Sequence, residues 1–174
     1  PDRMVALKVL RTGNAESLSS LRFKREIDLL ARLHHPGIAQ IHDAGTGANG
    51  TREIPYFAME LVDGQPLTVY ADSRSLDRNQ RLQLLIRVCE AVEYAHQRGI
   101  IHRDLKPANI LVEELDGIAR PRILDFGIAR LLESADNGHA FVTREHRVIG
   151  TLAYMSPEQL DPDQVIDTRS DVYA

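Results

Sequence analysis

Between residues 100 and 112 the chain reads IIHRDLKPANILV, an apolar run interrupted by His102, Arg103, Asp104, Lys106, Pro107 and Asn109. An unpaired buried charge costs several kcal/mol, roughly the whole stability margin of a domain. The stretch is therefore either a solvated loop between two short strands or a set of groups placed to do chemistry. Two more charges stand in apolar company. Lys8, in VALKVL, shares a strand face with Ala6 and Leu10, because side chains alternate with period two. Glu26 falls inside the stripe that Phe23, Ile27 and Leu30 form at helical spacing. Taken singly, Lys8 reads as an exposed strand edge and Glu26 as a rim residue. Taken together, a buried lysine and a buried glutamate neutralise each other and tie the strand to the helix that follows it.

The elements that position these groups follow from periodicity. Residues 5–10 read as a strand and about 18–33 as a helix ended by HHPG. IAQIHDAG and PYFAMELV read as two strands joined by a glycine-rich hairpin loop, TGANGTRE. Past Gly64 and Pro66 the apolar spacing turns helical. Residues 78–98 give the clearest helix, with Leu82, Leu85, Ile86, Cys89 and Val92 on its apolar stripe, so Cys89 is expected in the core. A strand pair, a long loop and the start of a helix complete the chain. A strand-rich first third and a helix-rich remainder imply two lobes that meet near Val62–Pro66.

The 174 residues suit one domain. With 43% hydrophobic and 26% charged residues the chain is globular and not disordered. A net charge of −4 without a basic run argues against a nucleic-acid or anionic-membrane binder. The single cysteine allows no internal disulfide and fits a reducing compartment. No stretch reaches the roughly 18 apolar residues of a membrane span, and no signal peptide is read. The expected location is the cytoplasm, for a parent protein that is either soluble or tethered to a membrane.

VALK, HRDLKPAN, DFG and SPE follow one another along the chain. A lone DFG or HRD is a weak signal, but their order is specific. With them the chain resembles a eukaryotic-type, bacterial-like Ser/Thr protein kinase catalytic domain over essentially its whole length. The resemblance implies a partial two-lobed α+β fold, with a small β-rich N-lobe (1–62) and a larger helical C-lobe (63–174). It implies transfer of the ATP γ-phosphate to Ser/Thr hydroxyls of protein substrates, with Mg²⁺, catalysed mostly by positioning and electrostatics. Asp104 would accept the hydroxyl proton, Asn109 and Asp125 would ligate two Mg²⁺ ions, and Lys8, fixed by Glu26, would hold the α and β phosphates. Lys106 would contact the transferring phosphate; Lys106-Pro107 and Thr151, in GTLAYMSPEQ, point to Ser/Thr rather than Tyr substrates. By the same resemblance Met59 is the gatekeeper, and Glu60, Leu61 and Val62 form the hinge whose backbone meets the adenine edge. Ala6 and Leu111 close on the two ring faces. Leu30, Ile41, Phe126 and His102 match an apolar column that links the lobes, so His102 is structural and not a general base.

The glycine-rich loop of such kinases precedes the VALK lysine, and the chain starts too late to hold it. Asp171, in SDVYA, matches the buried aspartate that holds the catalytic-loop backbone, and the arginine that pairs with the glutamate at Glu158 lies beyond Ala174. The chain reads as a piece of a kinase domain, expected to fold poorly alone with an unpaired sheet edge and uncovered apolar surface. By the same resemblance the segment from Asp125 to Glu158 would be the activation loop, with Arg103, directly before Asp104, marking the class that such a loop controls. A phosphate there would pair with Arg103 and order the loop. Thr143, beside Arg144, is the candidate, ahead of Ser134, with Thr151 occupied near the catalytic loop. Self-association for autophosphorylation is the expected partner beyond protein substrates. Two other readings compete. A pseudokinase scaffold usually loses one of the residues at Lys8, Asp104 or Asp125, and all are present. A small-molecule phosphotransferase of the aminoglycoside kinase type shares the His-x-Asp and Asn loop but lacks the Lys-Pro pair and the GT…SPE segment.

Overall fold

The computed structural model describes residues 3–9, 27–49, 52–126, 152–161 and 163–174. Glu26, Ser134, Thr143 and Thr151 lie outside the described residues. Strand β1 (Val5–Val9) forms where β-branched and apolar residues alternate, and it is an edge strand. It pairs antiparallel with β3 (Arg52–Glu60), setting Lys8 opposite Phe57 and Ala6 opposite Met59. On the other side β3 pairs antiparallel with β2 (Ile41–Asn49), with a register shift between Ile41 and Asp43. The expected hairpin loop over 46–53 is mostly ladder, because Thr46 pairs with Pro55 and the register runs on to Asn49 and Arg52. Backbone pairing needs no apolar side chain, so a polar, glycine-rich run can extend a strand that its neighbours have already set.

Residues 27–31, labelled α1, are helical, and the first part of the helix expected over 18–33 lies outside the described residues. Ile27 and Leu30 are buried in one core with Phe57 and Met59, as their spacing implied, and Leu33, just past the helix, joins them. After β4 (Gln65–Pro66) come α2 (Leu67–Ser73) and α3 (Arg78–His96). β5 (Ile110–Leu115) and β6 (Ile118–Ile123) join β4 in a second antiparallel sheet, ordered β4-β5-β6. Short helices Pro157–Leu160 and Arg169–Tyr173 follow. Among the described residues no helix is long and apolar enough to cross a membrane.

α3 is held at both ends by local chemistry. Asp77 accepts the Gln80 N–H at 2.8 Å while Gln80 Oε1 accepts the Asp77 N–H at 2.9 Å, a reciprocal cap. Gly99, at φ +73°, takes the left-handed conformation that turns the chain out of the helix. The buried face differs from the expected one. Leu84, Val88, Ala91, Val92 and Ala95 are buried, whereas Leu82, Leu85 and Ile86 are 46–48% exposed and Cys89 is exposed too. Both sets obey helical spacing, and at about 100° per residue they lie largely on opposite sides of the helix. The small side chains decide: a Cβ added at Gly37 would sit 2.9 Å from Ala91 Cβ, so α3 approaches the backbone before β2 on its alanine side.

That approach joins the two sheets. Ala39 N–H donates to Ile123 O at 2.9 Å, and Ile123 N–H donates to Gly37 O at 2.8 Å. A parallel bridge therefore links Ile38 to β6, and a single apolar cluster runs from Ile27 and Phe57 through Ile38 and Ile123 to Val88 and Phe126.

Candidate active site

The polar stretch that follows α3 is a loop between a helix and a strand, because Ile100 and Ile101 form no strand. A 3-10 turn, Pro107–Asn109, then leads into β5. Arg103 sits at φ +67°, a left-handed conformation that costs a non-glycine residue about 1–3 kcal/mol and persists only where the surroundings over-determine it. Here they do. Asp171 accepts the His102 N–H on Oδ2 and the Arg103 N–H on Oδ1, each at 2.7 Å. The same Oδ2 meets His96 Nε2 at 2.7 Å. His102 Nδ1 accepts the Asp104 N–H at 3.2 Å, and His102 Nε2 donates to Leu124 O at 2.9 Å. Burial lowers the His102 pKa below its ordinary 6.5, and the neutral ring then offers one N–H and one lone pair, as those two bonds require. His102 braces the loop.

The loop turns three functional groups toward one another. Lys106 Nζ donates to both Asp104 carboxylate oxygens, at 3.0 and 2.8 Å. Asn109 Nδ2 donates to Asp104 O at 2.7 Å and to Asp104 Oδ2 at 2.9 Å, which leaves the amide oxygen as the prong turned away from Asp104. The segment carrying Asp125 is pinned to this loop, since Leu124 N–H donates to Asn109 O at 2.8 Å. The Phe126 ring packs on His102 with centroids 4.7 Å apart. Asp125 lies at φ +58°, with Oδ2 paired to Lys8 Nζ and Oδ1 buried without a hydrogen-bond partner among the described residues.

Lys8 departs from expectation in one respect. Its side chain is 45% exposed rather than buried, and it forms an ion pair with Asp125, while Ala6, on the same strand face, packs against the core. The buried Lys8–Glu26 pair falls on a residue outside the description. Of the expected adenine-contact residues, Met59 is buried and Ala6 and Val62 pack against the same core. Leu111 is half-buried on the face of β5 opposite Ile110 and Val112. Leu30 and Phe126 belong to one buried cluster with Ile41 packed against it, and the Phe126 ring packs on His102, so the four residues of the expected column are brought together.

Three features were missed in the sequence. Arg122, on β6, pairs with Glu60 and also, at 3.1 Å, with Glu113, while Glu60 Oε2 accepts the Gln40 N–H at 3.2 Å. A charge alternating into the apolar strand IARPRI was the available signal. Gln159 Nε2 donates to Arg103 O at 2.6 Å, and Oε1 accepts from the Ser156 N–H at 3.0 Å and Ser156 Oγ at 3.2 Å. Ser-x-x-Gln before a helix is a recognisable capping pattern. Glu158, expected to want an arginine, accepts a hydrogen bond from Ser170 Oγ at 2.6 Å, which holds its carboxyl below the usual range.

The chain matches the protein kinase domain family over residues 1–174. Serine/threonine-protein kinase PknB of Mycolicibacterium smegmatis is 42% identical to it over 99% of this chain and 27% of its own length. A probable serine/threonine-protein kinase of Streptomyces coelicolor is 41% identical over 99% of this chain and 25% of its own length. The chain thus spans about a quarter of the curated relatives it matches. A crystal structure of a cysteine-to-alanine mutant of the Mycobacterium tuberculosis PknI kinase domain superposes with a TM-score of 0.57 at 36% identity, covering 71% of this chain and 49% of that one. A double mutant of that domain gives 0.63 at 28% identity, covering 96% and 58%. By its sequence relatives and by its arrangement of a small sheet, helices and a braced polar loop, this chain belongs to the protein kinase domain family and takes that family's two-lobed α+β fold.

Proposed function

We propose that this chain carries the catalytic centre of an ATP-dependent protein serine/threonine kinase, with residues 1–62 and 63–174 as its two lobes. The observation that carries the reading is the Asp104 carboxylate, held between Lys106 and Asn109 on a braced loop to which the Asp125 segment is pinned. The names of the relatives support the choice of Ser/Thr acceptors in proteins.

Asp104 is the catalytic proton acceptor, orienting a substrate hydroxyl and receiving its proton on a carboxylate oxygen. Lys106 stands beside it as the cation that meets negative charge on the transferring group, and its bond to Asp104 fixes the distance between the two roles. Mg²⁺ and ATP, when bound, supply the phosphoryl group and the charge that neutralises its oxygens. The residues fit that pair. Asp125 Oδ1 is a buried oxygen with no hydrogen-bond partner among the described residues, and Asn109 presents an amide oxygen once its nitrogen is spent on Asp104; Mg²⁺ is ordinarily held by so few protein oxygens together with phosphates. Lys8, with Glu26 as its brace, would hold the nucleotide phosphates, and Ala6, Met59, Glu60, Val62 and Leu111 would line the adenine slot.

Asp104→Asn in the full-length protein tests the reading. Transfer to a protein acceptor should fall by about 10²–10⁴-fold, with ATP affinity within about twofold. Wild-type phosphorylation of serine or threonine by Asp104→Asn would overturn it.

A further inference from the structure

We infer that Gln159 is a positioning residue for the Asp104 carboxylate, clamping the peptide that joins Arg103 to Asp104; the inference rests on the kinase reading above. That peptide carries the strain of the loop, since Arg103 is left-handed at φ +67°. Its N–H is taken by His102 Nδ1 at 3.2 Å, and its carbonyl by Gln159 Nε2 at 2.6 Å. Rotation of this peptide plane would swing the Asp104 Cα and carry the carboxylate away from Lys106 and Asn109.

The orientation of the Gln159 amide is not free. Oε1 accepts both the Ser156 N–H and the Ser156 hydroxyl, so a flipped amide would set its NH₂ against the Ser156 N–H. The nitrogen is thereby directed at Arg103 O, and donor and acceptor ends are both occupied. Asp171 fixes the loop from the last helix and His102 braces it from within, whereas Gln159 reaches it from the helix Pro157–Leu160, just past residues 127–151. Where that helix sits therefore bears directly on the position of Asp104.

Glutamate is the informative replacement. It keeps the length and the acceptor for Ser156 but loses the donor, and it sets a carboxylate against the Arg103 carbonyl. Gln159→Met removes the same donor without adding charge. In the full-length protein, with ATP, Mg²⁺ and dephosphorylated casein as acceptor, both variants should lower kcat by roughly ten- to hundredfold. KM for ATP should stay within about twofold, as for a group acting on the transferring step, and Tm should be little changed. Ser156→Ala, which removes the hydroxyl that meets Gln159 Oε1 and Glu158 but keeps the Ser156 N–H bond that orients the amide, should retain kcat within about twofold. Wild-type kcat in both Gln159 variants, or KM and Tm falling in step with kcat, would overturn the clamp. Amide exchange at residues 102–105 reads the clamp without catalysis: faster exchange in both variants supports it, and unchanged exchange overturns it. A wild-type protein that protects this loop but transfers phosphate neither to casein nor to itself would overturn the kinase reading instead.

Discussion

Asp171 is 5% exposed, and its two oxygens meet three partners: the N–H groups of His102 and Arg103 and His96 Nε2, each at 2.7 Å. Asp171→Asn replaces one oxygen by an NH₂. The better of the two amide orientations keeps oxygen where His102 N–H and His96 Nε2 converge, and it sets the NH₂ against the Arg103 N–H. One charge-assisted bond is lost and one buried donor is left unpaired, together about 2–4 kcal/mol. At about 2–4 °C per kcal/mol for a domain of this size, the melting temperature should fall by about 5–15 °C. The function should fall further than the stability. Without its N–H tether, the left-handed Arg103 can release about 1–3 kcal/mol of backbone strain by relaxing, and Asp104 moves with it. Thermal melting of the kinase domain in the full-length protein, alongside kcat and KM for ATP, reads both effects. A melting temperature within about 1 °C of wild type together with an unchanged kcat would refute the tether.

Two further outcomes follow from the same geometry. Burial holds the His102 pKa below 6.5, so as pH falls through about 6.5 the unfolded imidazole takes up a proton that the folded one refuses, and stability drops until the folded value is reached. Urea midpoints between about pH 8 and pH 5 should show this slope, to which His35 and His42, also lowered by burial, add; His102→Gln, which keeps a donor and an acceptor, should make it shallower, and equal slopes in the two proteins would count against a neutral buried His102. A phosphate on Thr143 would bring about −1.5 to −2 charge to Arg103, whose Nε is buried without a hydrogen-bond partner among the described residues. Incubation with Mg²⁺-ATP at several protein concentrations should place phosphate on Thr143 faster at higher concentration, and Thr143→Ala should lower activity. An active enzyme without that phosphate, and with Thr143→Ala unchanged, would sink the proposal.

The fold was legible wherever one periodicity had one solution. β1 and β3 alternate apolar residues, and the strands lie there. α3 announced itself as a helix but not its inward side, because Leu82, Leu85 and Ile86 satisfy the spacing as well as Leu84, Val88 and Ala91 do. Burial of the larger leucines is the natural inference from transfer energies. The choice is made instead by close approach to Gly37, which precedes the helix by more than forty residues in the chain, and no window along α3 contains that information.

The site divides along the same line. Asp104, Lys106 and Asn109 are neighbours in sequence, and the turn Pro107–Asn109 folds them onto one another, so residue types and spacing sufficed. The groups that aim them come from afar: Asp171 is 69 positions from His102, Gln159 is 56 from Arg103, and Lys8 is 117 from Asp125. Asp171 was reached through resemblance, and Gln159 was not reached at all. A sequence states which donors and acceptors a chain owns. The cap at Ser156 even indicates where Gln159 Oε1 is spent. It cannot state where the other prong points, because that depends on a helix packed beside a loop that is left-handed at a single arginine. The Ser156 cap asks only for an acceptor at residue 159, which a glutamate would supply as well; the carbonyl of Arg103 is what requires the donor of an amide.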